Sequence, residues 1–376
     1  MARSVGVKKF VASLLITQCL QHDFVRPLDR YEPLPNLLHV GYSESRRLMG
    51  ERPEQGPVCR VMSWAQEQDP SQLQLVHLRD WHNCHDPSQR EHLRRFGEHC
   101  LENTPGAEFV FPFDPSRQGV WVVNSLSLND FQATGLEEVL QPISGSGPTR
   151  VGLMGTWTEA KIFFLAYELT TRYPDFEVMV CSALTASSSR SRHFQSLDQM
   201  ERILGVRVVH SVGEFVDYLG GSDFHIPLLG FEERHPRIES AVTLEPGART
   251  LIRYLFRDCE SLKLRVLDGG FSGNLVLGTQ SVDLLGHQQV PHVVKVGPQE
   301  LMGRERAAFE RIQDVLGNNA PHIADFADLG DLGAIKYRYA SLGSSFSTTF
   351  QKMVEGGASQ QEIDAVLNSV FGEQLS

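Results

Sequence analysis

The sequence has too few basic residues to favour a nucleic-acid partner. It contains 35 lysine and arginine residues against 46 aspartate and glutamate residues, which gives a formal net charge of −11 at pH 7. Proteins that bind nucleic acid through its phosphates present a clustered basic surface, and this charge balance argues against one.

Long hydrophobic segments and paired cysteines are also absent from the sequence. The apolar run from Phe10 to Ile16 is too short to span a membrane, and no signal-type cleavage region follows it. The six cysteines are scattered, with no Cys-x-x-Cys pair and no disulfide framework, which is typical of a reducing cytosol. We therefore predict a cytoplasmic protein with no membrane partner.

The length of the sequence and a change in its local composition predict two domains. A chain of 376 residues is longer than a typical single domain, and a 41% apolar composition is ample for a core. Prolines and charges replace periodic apolar residues between about residues 223 and 236. We predict a first domain over residues 1–222, a linker over 223–245 and a second domain over 246–376.

The first domain is predicted to be a doubly wound α/β domain with a mostly parallel sheet. Nearly continuous apolar runs, as in strands buried on both faces, alternate with helical patterns. The predicted strands are residues 11–16, 73–78, 120–123, 151–154, 176–180 and 206–210. The predicted helices are residues 37–51, 135–140, 162–169 and 194–204. Such alternation indicates parallel strands joined by right-handed crossovers.

One stretch of this domain, residues 155–161, turns directly from a strand into a helix. Gly155 follows the strand, and Lys161 precedes an apolar-faced helix that begins at Ile162. Such a turn places the free N–H groups of the helix start at the carboxyl edge of the sheet, where open α/β sheets bind ligands. A nucleophile at position 161 would be well placed, yet the residue is lysine.

Three segments resemble the isochorismatase-like cysteine hydrolase superfamily, which includes the nicotinamidases. Residues 15–24 resemble a first strand that ends in Asp-x-Gln-x-Asp-Phe. Residues 79–82 and 99–108 are similar to the family's Asp-Trp-His and His-Cys-x-x-Gly-Thr-x-Gly-Ala-Glu signatures. Residues 155–161 match Gly-x-x-Thr-[Asp/Glu]-x-Cys up to the last position. Because the motifs occur in the family's order, we predict this fold over about residues 10–215.

The resemblance implies a catalytic triad of Asp, Lys and Cys, and all three positions are substituted. The Asp position holds Cys19, the Lys position falls at about Ser125, and the Cys position holds Lys161. In the family chemistry a carboxylate takes the thiol proton, the thiolate attacks an amide or related carbon, and backbone N–H groups at the helix start hold the oxyanion. The residues at that helix start are Thr156, Trp157 and Thr158.

These substitutions leave two hypotheses for the first domain. In the first, the domain is a pseudoenzyme that binds a small molecule, an anion beside Lys161, or a protein partner. In the second, the pocket is rewired: Cys19 faces Lys161, whose ammonium lowers the pKa of the thiol and favours a reactive thiolate. The second hypothesis keeps an active amidase-like hydrolase as the alternative function.

The resemblance also implies a metal site beside the triad. In nicotinamidases the residues matching Asp80, His82 and His99 bind a divalent metal, and a carboxylate with two imidazoles suits zinc or iron. His85 and His92 are both candidates to replace a further family histidine that is absent here. A metal-activated water would give a route to hydrolysis without the cysteine.

The second domain resembles the amino-terminal lobe of protein-kinase-like and aminoglycoside-phosphotransferase-like folds, as a smaller α+β module. A glycine turn at residues 268–273 joins two predicted strands, and Lys295 lies on the next strand. Glu305 on the following helix is the preferred partner of this lysine, with Glu310 as the second candidate. A glycine turn, a strand lysine and a helix glutamate in this order are typical of a site that binds the phosphates of a nucleotide. The glycines that would approach the phosphates are Gly269, Gly270 and Gly273.

The resemblance of the second domain leaves its role open between an ATP-binding regulatory module and a small α+β module whose glycines only make a tight hairpin. No His-x-Asp-x-x-x-x-Asn or Asp-Phe-Gly element follows the predicted strand at residues 335–339, so phosphoryl transfer is not expected. We expect the chain to work as a homo-oligomer or as a subunit of a larger assembly.

Overall fold

The computed structural model describes residues 12–50, 56–145, 147–221, 236–240, 242–267, 274–316, 322–338, 350–369 and 372. The chain divides into two compact units, Met1–Gly230 and Phe231–Ser376. In the described part of the chain, no helix combines the length and the apolar character needed to cross a membrane.

The N-terminal unit contains a six-stranded parallel sheet, which confirms the predicted fold class. Its strands are β1 (Ala12–Gln18), β2 (Leu73–Asp80), β3 (Val120–Ser125), β4 (Thr149–Thr156), β5 (Phe176–Ala186) and β6 (Arg207–Val209). The strand order is β3-β2-β1-β4-β5-β6, and every neighbouring pair is parallel. The order reverses between β1 and β4, and the carboxyl ends of strands flanking such a reversal are where open sheets bind ligands.

Four helices of this unit correspond to the predicted ones with shifted ends, and four others were not predicted. They are α1 (His22–Val25), α2 (Tyr42–Met49), α3 (Pro57–Glu67), α4 (Arg90–Phe96), α5 (Leu136–Ser144), α6 (Phe163–Arg172), α7 (Arg190–Gln199) and α8 (Val212–Tyr218). The helix predicted from residue 37 begins only at Tyr42, because Asn36 Oδ1 accepts the N–H of Leu38 and holds that segment in a turn. Helix α3 was not predicted, although Pro57 at its first turn is a recognised start signal.

The central strand β1 runs from the hydrophobic core to the carboxyl edge of the sheet. Leu14, Leu15 and Ile16 are fully buried, as a continuous apolar run predicts. At its end, Gln18 lies opposite Gly155 of β4. A Cβ atom at position 155 would lie 2.0 Å from the carbonyl oxygen of Gln18, and the residue has φ +131°. Only glycine fits there, so the ends of β1 and β4 approach closely.

The C-terminal unit contains a second six-stranded sheet. Its strands are β7 (Arg237–Ser240), β8 (Cys259–Val266), β9 (Leu275–Asp283), β10 (His292–Pro298), β11 (Ile323–Leu329) and β12 (Leu332–Arg338). Its helices are α9 (Pro246–Leu255), α10 (Gln299–Leu316), α11 (Phe350–Glu355) and α12 (Gln360–Leu367). The order is β11-β12-β10-β9-β8-β7, antiparallel except for β7 with β8. Strand β7 lies inside the segment predicted to be a linker, because it pairs with β8.

Candidate functional site

The three residues at the family triad positions meet at the carboxyl edge of the N-terminal sheet. Cys19 follows β1, Ser125 ends β3, and Lys161 lies in a wide turn, Thr158–Ile162, that leads into α6. The ammonium of Lys161 lies 2.9 Å from Ser125 Oγ. All three side chains are buried.

Two buried carboxylates hold the ammonium of Lys161. Its Nζ lies 2.5 Å from Asp80 Oδ1 and 3.0 Å from Asp130 Oδ1. Burial alone would lower the pKa of Lys161, but the negative charges of Asp130 and Asp80 offset this and hold the pKa well above its usual value. The lysine is therefore a charged group with two counter-ions, which counts against the expected anion beside it.

Sequence reasoning missed Asp130 as a site residue. Its partner Lys161 is 31 residues away, so the local sequence Asn129-Asp-Phe131 does not mark it. The signal that could have found it is the lysine itself, since a buried ammonium needs a carboxylate nearby. Asp130 follows the end of β3, whose last residue contacts the same ammonium.

Cys19 is held as a protonated thiol. Its Sγ lies 3.5 Å from Asp80 Oδ1 and accepts a hydrogen bond from Gln18 Nε2 at 3.1 Å. Burial, and then the negative charge of Asp80, raises the pKa of the Cys19 thiol well above its usual value, and the ammonium of Lys161 offsets only part of this. This shift counts against the hypothesis of a reactive, low-pKa Cys19, because Lys161 is already engaged by two carboxylates. Ser125 gains no base either, since a protonated lysine cannot accept the hydroxyl proton.

Beside Lys161, one carboxylate and three histidines form a group that could hold a metal ion. One ligand-type atom from each of these residues lies within 4.8 Å of all the others, and the members are Asp80, His82, His92 and His99. His82 Nε2 and His99 Nε2 lie 3.7 and 3.6 Å from Asp80 Oδ2. Bonds of about 2.0–2.1 Å to a tetrahedral zinc ion put neighbouring ligand atoms roughly 3.3 Å apart. The distances from Asp80 Oδ2 to the Nε2 atoms of His82 and His99 are close to this value, so these three atoms fit one ion after small adjustments. His92 therefore joins the three predicted residues, while His85 is exposed and outside the group.

Hydrogen bonds determine which nitrogen of two of these histidines faces the group. His99 Nδ1 lies 2.7 Å from the carbonyl oxygen of Gly97, and His82 Nδ1 lies 3.0 Å from Gln89 Oε1. Both partners are acceptors, so Nδ1 carries the proton in the neutral form of each ring, and Nε2 then keeps its lone pair. Among the described residues, the buried Nε2 atoms of His82, His92 and His99 have no hydrogen-bond partner. A bound divalent cation would satisfy all three nitrogens.

Gln21 fixes the position of Asp80. The Asp80 N–H donates to Gln21 Oε1 at 2.8 Å, and Gln21 Nε2 donates to the carbonyl oxygens of Asp80 and Ala107 at 2.7 and 2.9 Å. This two-way bond ties the end of β2 to the residues after β1. The carboxylate of Asp80 is thereby held between Lys161 and the histidines.

Of the predicted oxyanion residues, Thr156 ends β4, and Trp157 and Thr158 lie between that strand and Lys161. Thr158 Oγ1 donates to the carbonyl oxygen of Ala186 at 2.9 Å and therefore accepts from His193 Nδ1, also at 2.9 Å. His193 is fully buried in α7, and its hydrogen bond to Thr158 holds this turn in place. The oxyanion role itself stays a prediction.

In the C-terminal unit, Glu305 is the ion-pair partner of Lys295, as predicted. Lys295 Nζ lies 2.5 Å from Glu305 Oε2, whereas Glu310 lies 3.6 Å from Arg306. The hydroxyl of Tyr337 donates to the other carboxylate oxygen of Glu305 at 2.7 Å. The glycine turn that contains Gly269, Gly270 and Gly273 lies outside the described residues.

Two family models match the chain in different regions. Residues 57–212 match the isochorismatase domain, and residues 259–376 match ternary complex associated domain 9. The second match does not decide whether that unit is kinase-like. No curated protein is similar enough in sequence to give a significant match.

Several solved structures are similar to the N-terminal part of the chain. An isochorismatase-like hydrolase from Alkaliphilus metalliredigens is 19% identical, with 55% of this chain and 98% of that chain covered and a TM-score of 0.43. A nicotinamidase/pyrazinamidase from Bacillus subtilis is 18% identical, with 52% and 98% covered and a TM-score of 0.41. A pyrazinamidase from Pyrococcus horikoshii in complex with zinc is 22% identical, with 52% and 98% covered and a TM-score of 0.40. At these identities, the similarity concerns the fold alone.

Proposed function

The N-terminal unit is an isochorismatase-like domain, and on that premise we propose that its pocket binds a divalent metal ion without hydrolysing amides. The chain then serves as a binding or protein-interaction subunit. The observation that carries this proposal is the pairing of Lys161 with Asp80 and Asp130 at the position where the family has its nucleophile.

The pocket offers no attacking group among its described residues. The family reaction needs a thiolate supported by a carboxylate base. Burial and Asp80 keep the thiol of Cys19 protonated, and Ser125 lies beside a charged ammonium that cannot act as its base. Neither residue therefore supplies a nucleophile at neutral pH.

Asp80, His82, His92 and His99 would hold the metal ion. One carboxylate oxygen and three imidazole nitrogens are a donor set that suits zinc or iron(II). Such an ion supplies Lewis acidity, which polarises a carbonyl oxygen or a water molecule. The residues of this chain bind and orient: Gln89 fixes the ring of His82, and Lys161 fixes one oxygen of Asp80.

We expect the purified chain, supplied with zinc or iron(II), to release no ammonia from nicotinamide or related small amides. The measurement is an ammonia assay run beside an active nicotinamidase, which shows that the conditions support turnover. Ammonia release that disappears in His82→Ala but persists in His85→Ala would establish metal-assisted hydrolysis and overturn the proposal. His85 is the matched control because it is an exposed histidine outside the metal group.

The C-terminal unit supports the interaction part of this proposal. Residues 259–376 match a domain described as associated with ternary complexes. None of the described residues of α12 is buried, and Val366 and Leu367 on this helix are each 37% exposed. Apolar side chains left exposed on a helix are available for contact with another protein.

A second candidate function is nucleotide binding by the C-terminal unit, which the Lys295–Glu305 ion pair favours. A strand lysine paired with a helix carboxylate is the arrangement that holds nucleotide phosphates in kinase-like folds. We expect saturating Mg-ATP to raise the melting temperature of the full chain by about 2 °C or more, and Lys295→Ala to remove that shift. Lys263→Ala, at an exposed lysine of the same sheet, should keep it. The absence of any shift in the wild-type chain would exclude this candidate.

A further inference from the structure

We propose that Lys161 sets the metal affinity of the pocket by occupying one oxygen of Asp80, so that a metal ion has access only to the other. This inference rests on the proposed metal site. It assigns a function to the lysine that stands in place of the family's nucleophile.

The two carboxylate oxygens of Asp80 face different partners. Oδ1 lies 2.5 Å from Lys161 Nζ and 3.5 Å from Cys19 Sγ. Oδ2 faces the histidines, 3.7 Å from His82 Nε2 and 3.6 Å from His99 Nε2. A single carboxylate thus bridges the ammonium and the histidine group. An ion among the histidines can form one bond to Asp80, through Oδ2, while Lys161 keeps Oδ1.

The charge of Lys161 also acts on an ion in this position. The ammonium lies in direct contact with the carboxylate that would bind the ion, and both groups are buried. Two positive centres that share one carboxylate repel each other, and water screens this repulsion little in a buried site. The lysine therefore lowers the affinity for a divalent cation while it stabilises Asp80 in the metal-free pocket.

Asp130 limits how strongly Lys161 repels the ion. Its Oδ1 lies 3.0 Å from Lys161 Nζ, and it is not a member of the metal group. It therefore offsets part of the lysine charge without offering a ligand. Burial raises the pKa of the Asp130 carboxyl, and the charge of Lys161 offsets part of this. With Asp80 and Asp130 both ionised, the two carboxylates outweigh the single charge of Lys161, and the pocket admits a cation.

Zinc titration of the full chain by isothermal calorimetry tests this inference. Lys161→Met keeps a side chain of similar length and removes the charge, so we expect it to bind zinc at least about tenfold more tightly than the wild type. Lys263→Met removes an exposed lysine of the other unit and should leave the zinc affinity unchanged. Because Lys161→Met leaves two carboxylates unpaired, the double variant Lys161→Met/Asp130→Asn is measured as well. It removes the pair with no change in net charge, and we expect it also to bind zinc more tightly than the wild type.

The outcomes separate this inference from the proposed metal binding. Zinc affinities of both Lys161 variants equal to or below that of the wild type would overturn the role of Lys161 and leave the metal site standing. Zinc binding by the variants but not by the wild type would support the role of Lys161 and overturn metal loading of the natural chain. No zinc binding by any of these proteins would overturn both.

Discussion

Replacing Lys161 by methionine should lower the free energy of unfolding of the N-terminal unit by about 3–5 kcal/mol. The substitution leaves Asp80 and Asp130 as buried carboxylates without their shared counter-ion, and removing one partner of a buried ion pair costs about this much. Urea denaturation followed by tryptophan fluorescence measures the change in this unit alone. All four tryptophans lie in residues 1–230, so their emission does not report on the other unit.

A double-mutant cycle separates the charge effect of Lys161 from its packing. Asp130→Asn in the Lys161→Met background removes one of the two unpaired carboxylates, so the double variant should be more stable than Lys161→Met alone. We expect a coupling energy within about 0.5–3 kcal/mol, the range for residues in one ion-pair network. If Lys161→Met costs less than about 1 kcal/mol, the ammonium is not the counter-ion that the geometry indicates.

Replacing His99 by alanine should weaken zinc binding by about 100-fold or more. The substitution removes a donor whose Nε2 lone pair is oriented by the Nδ1 bond to the carbonyl of Gly97, and changes to residues that merely orient a ligand already cost about 10–100-fold. Calorimetric titration measures the affinity. A melting experiment gives a second readout, since zinc at about 100 times its dissociation constant would stabilise the fold by about 2.7 kcal/mol.

His85→Ala is the matched control for His99→Ala. His85 lies near the site in sequence and was the other candidate for the fourth ligand, but it is exposed and outside the group. Its loss should leave the zinc affinity unchanged. Equal losses of affinity in the two variants would mean that zinc binds elsewhere on the chain.

Much of the fold was predictable because its signals are local. The unbroken apolar run in β1 indicates a strand buried on both faces, and alternation with helices indicates a parallel sheet. The metal group was predictable in part from the family resemblance, which matches Asp80, His82 and His99 to metal-binding residues of nicotinamidases. The pairing of Lys295 with Glu305 was expected from the resemblance to kinase-like amino-terminal lobes, in which a strand lysine pairs with a helix glutamate.

The charge arrangement of the pocket was not predictable from local patterns. Cys19 and Lys161 were correctly expected at the same edge of the sheet, but the pKa of the thiol depends on Asp80 and on burial, which only the fold brings together. Asp130 escaped notice because its contact with Lys161 is long-range. The strand predicted over residues 176–180 extends to Ala186 as β5, and its pairing with β4 shifts register between Leu153 and Gly155.

The central claim is that this pocket holds a metal ion through Asp80 and three histidines, with a paired lysine in place of a nucleophile. Elemental analysis of the full wild-type chain after equilibration with excess zinc and removal of unbound metal tests it most directly. The account predicts one zinc ion per chain in the wild type and in His85→Ala, and a large loss in His99→Ala. No retained zinc in the wild type, or the same amount in all three proteins, would contradict it.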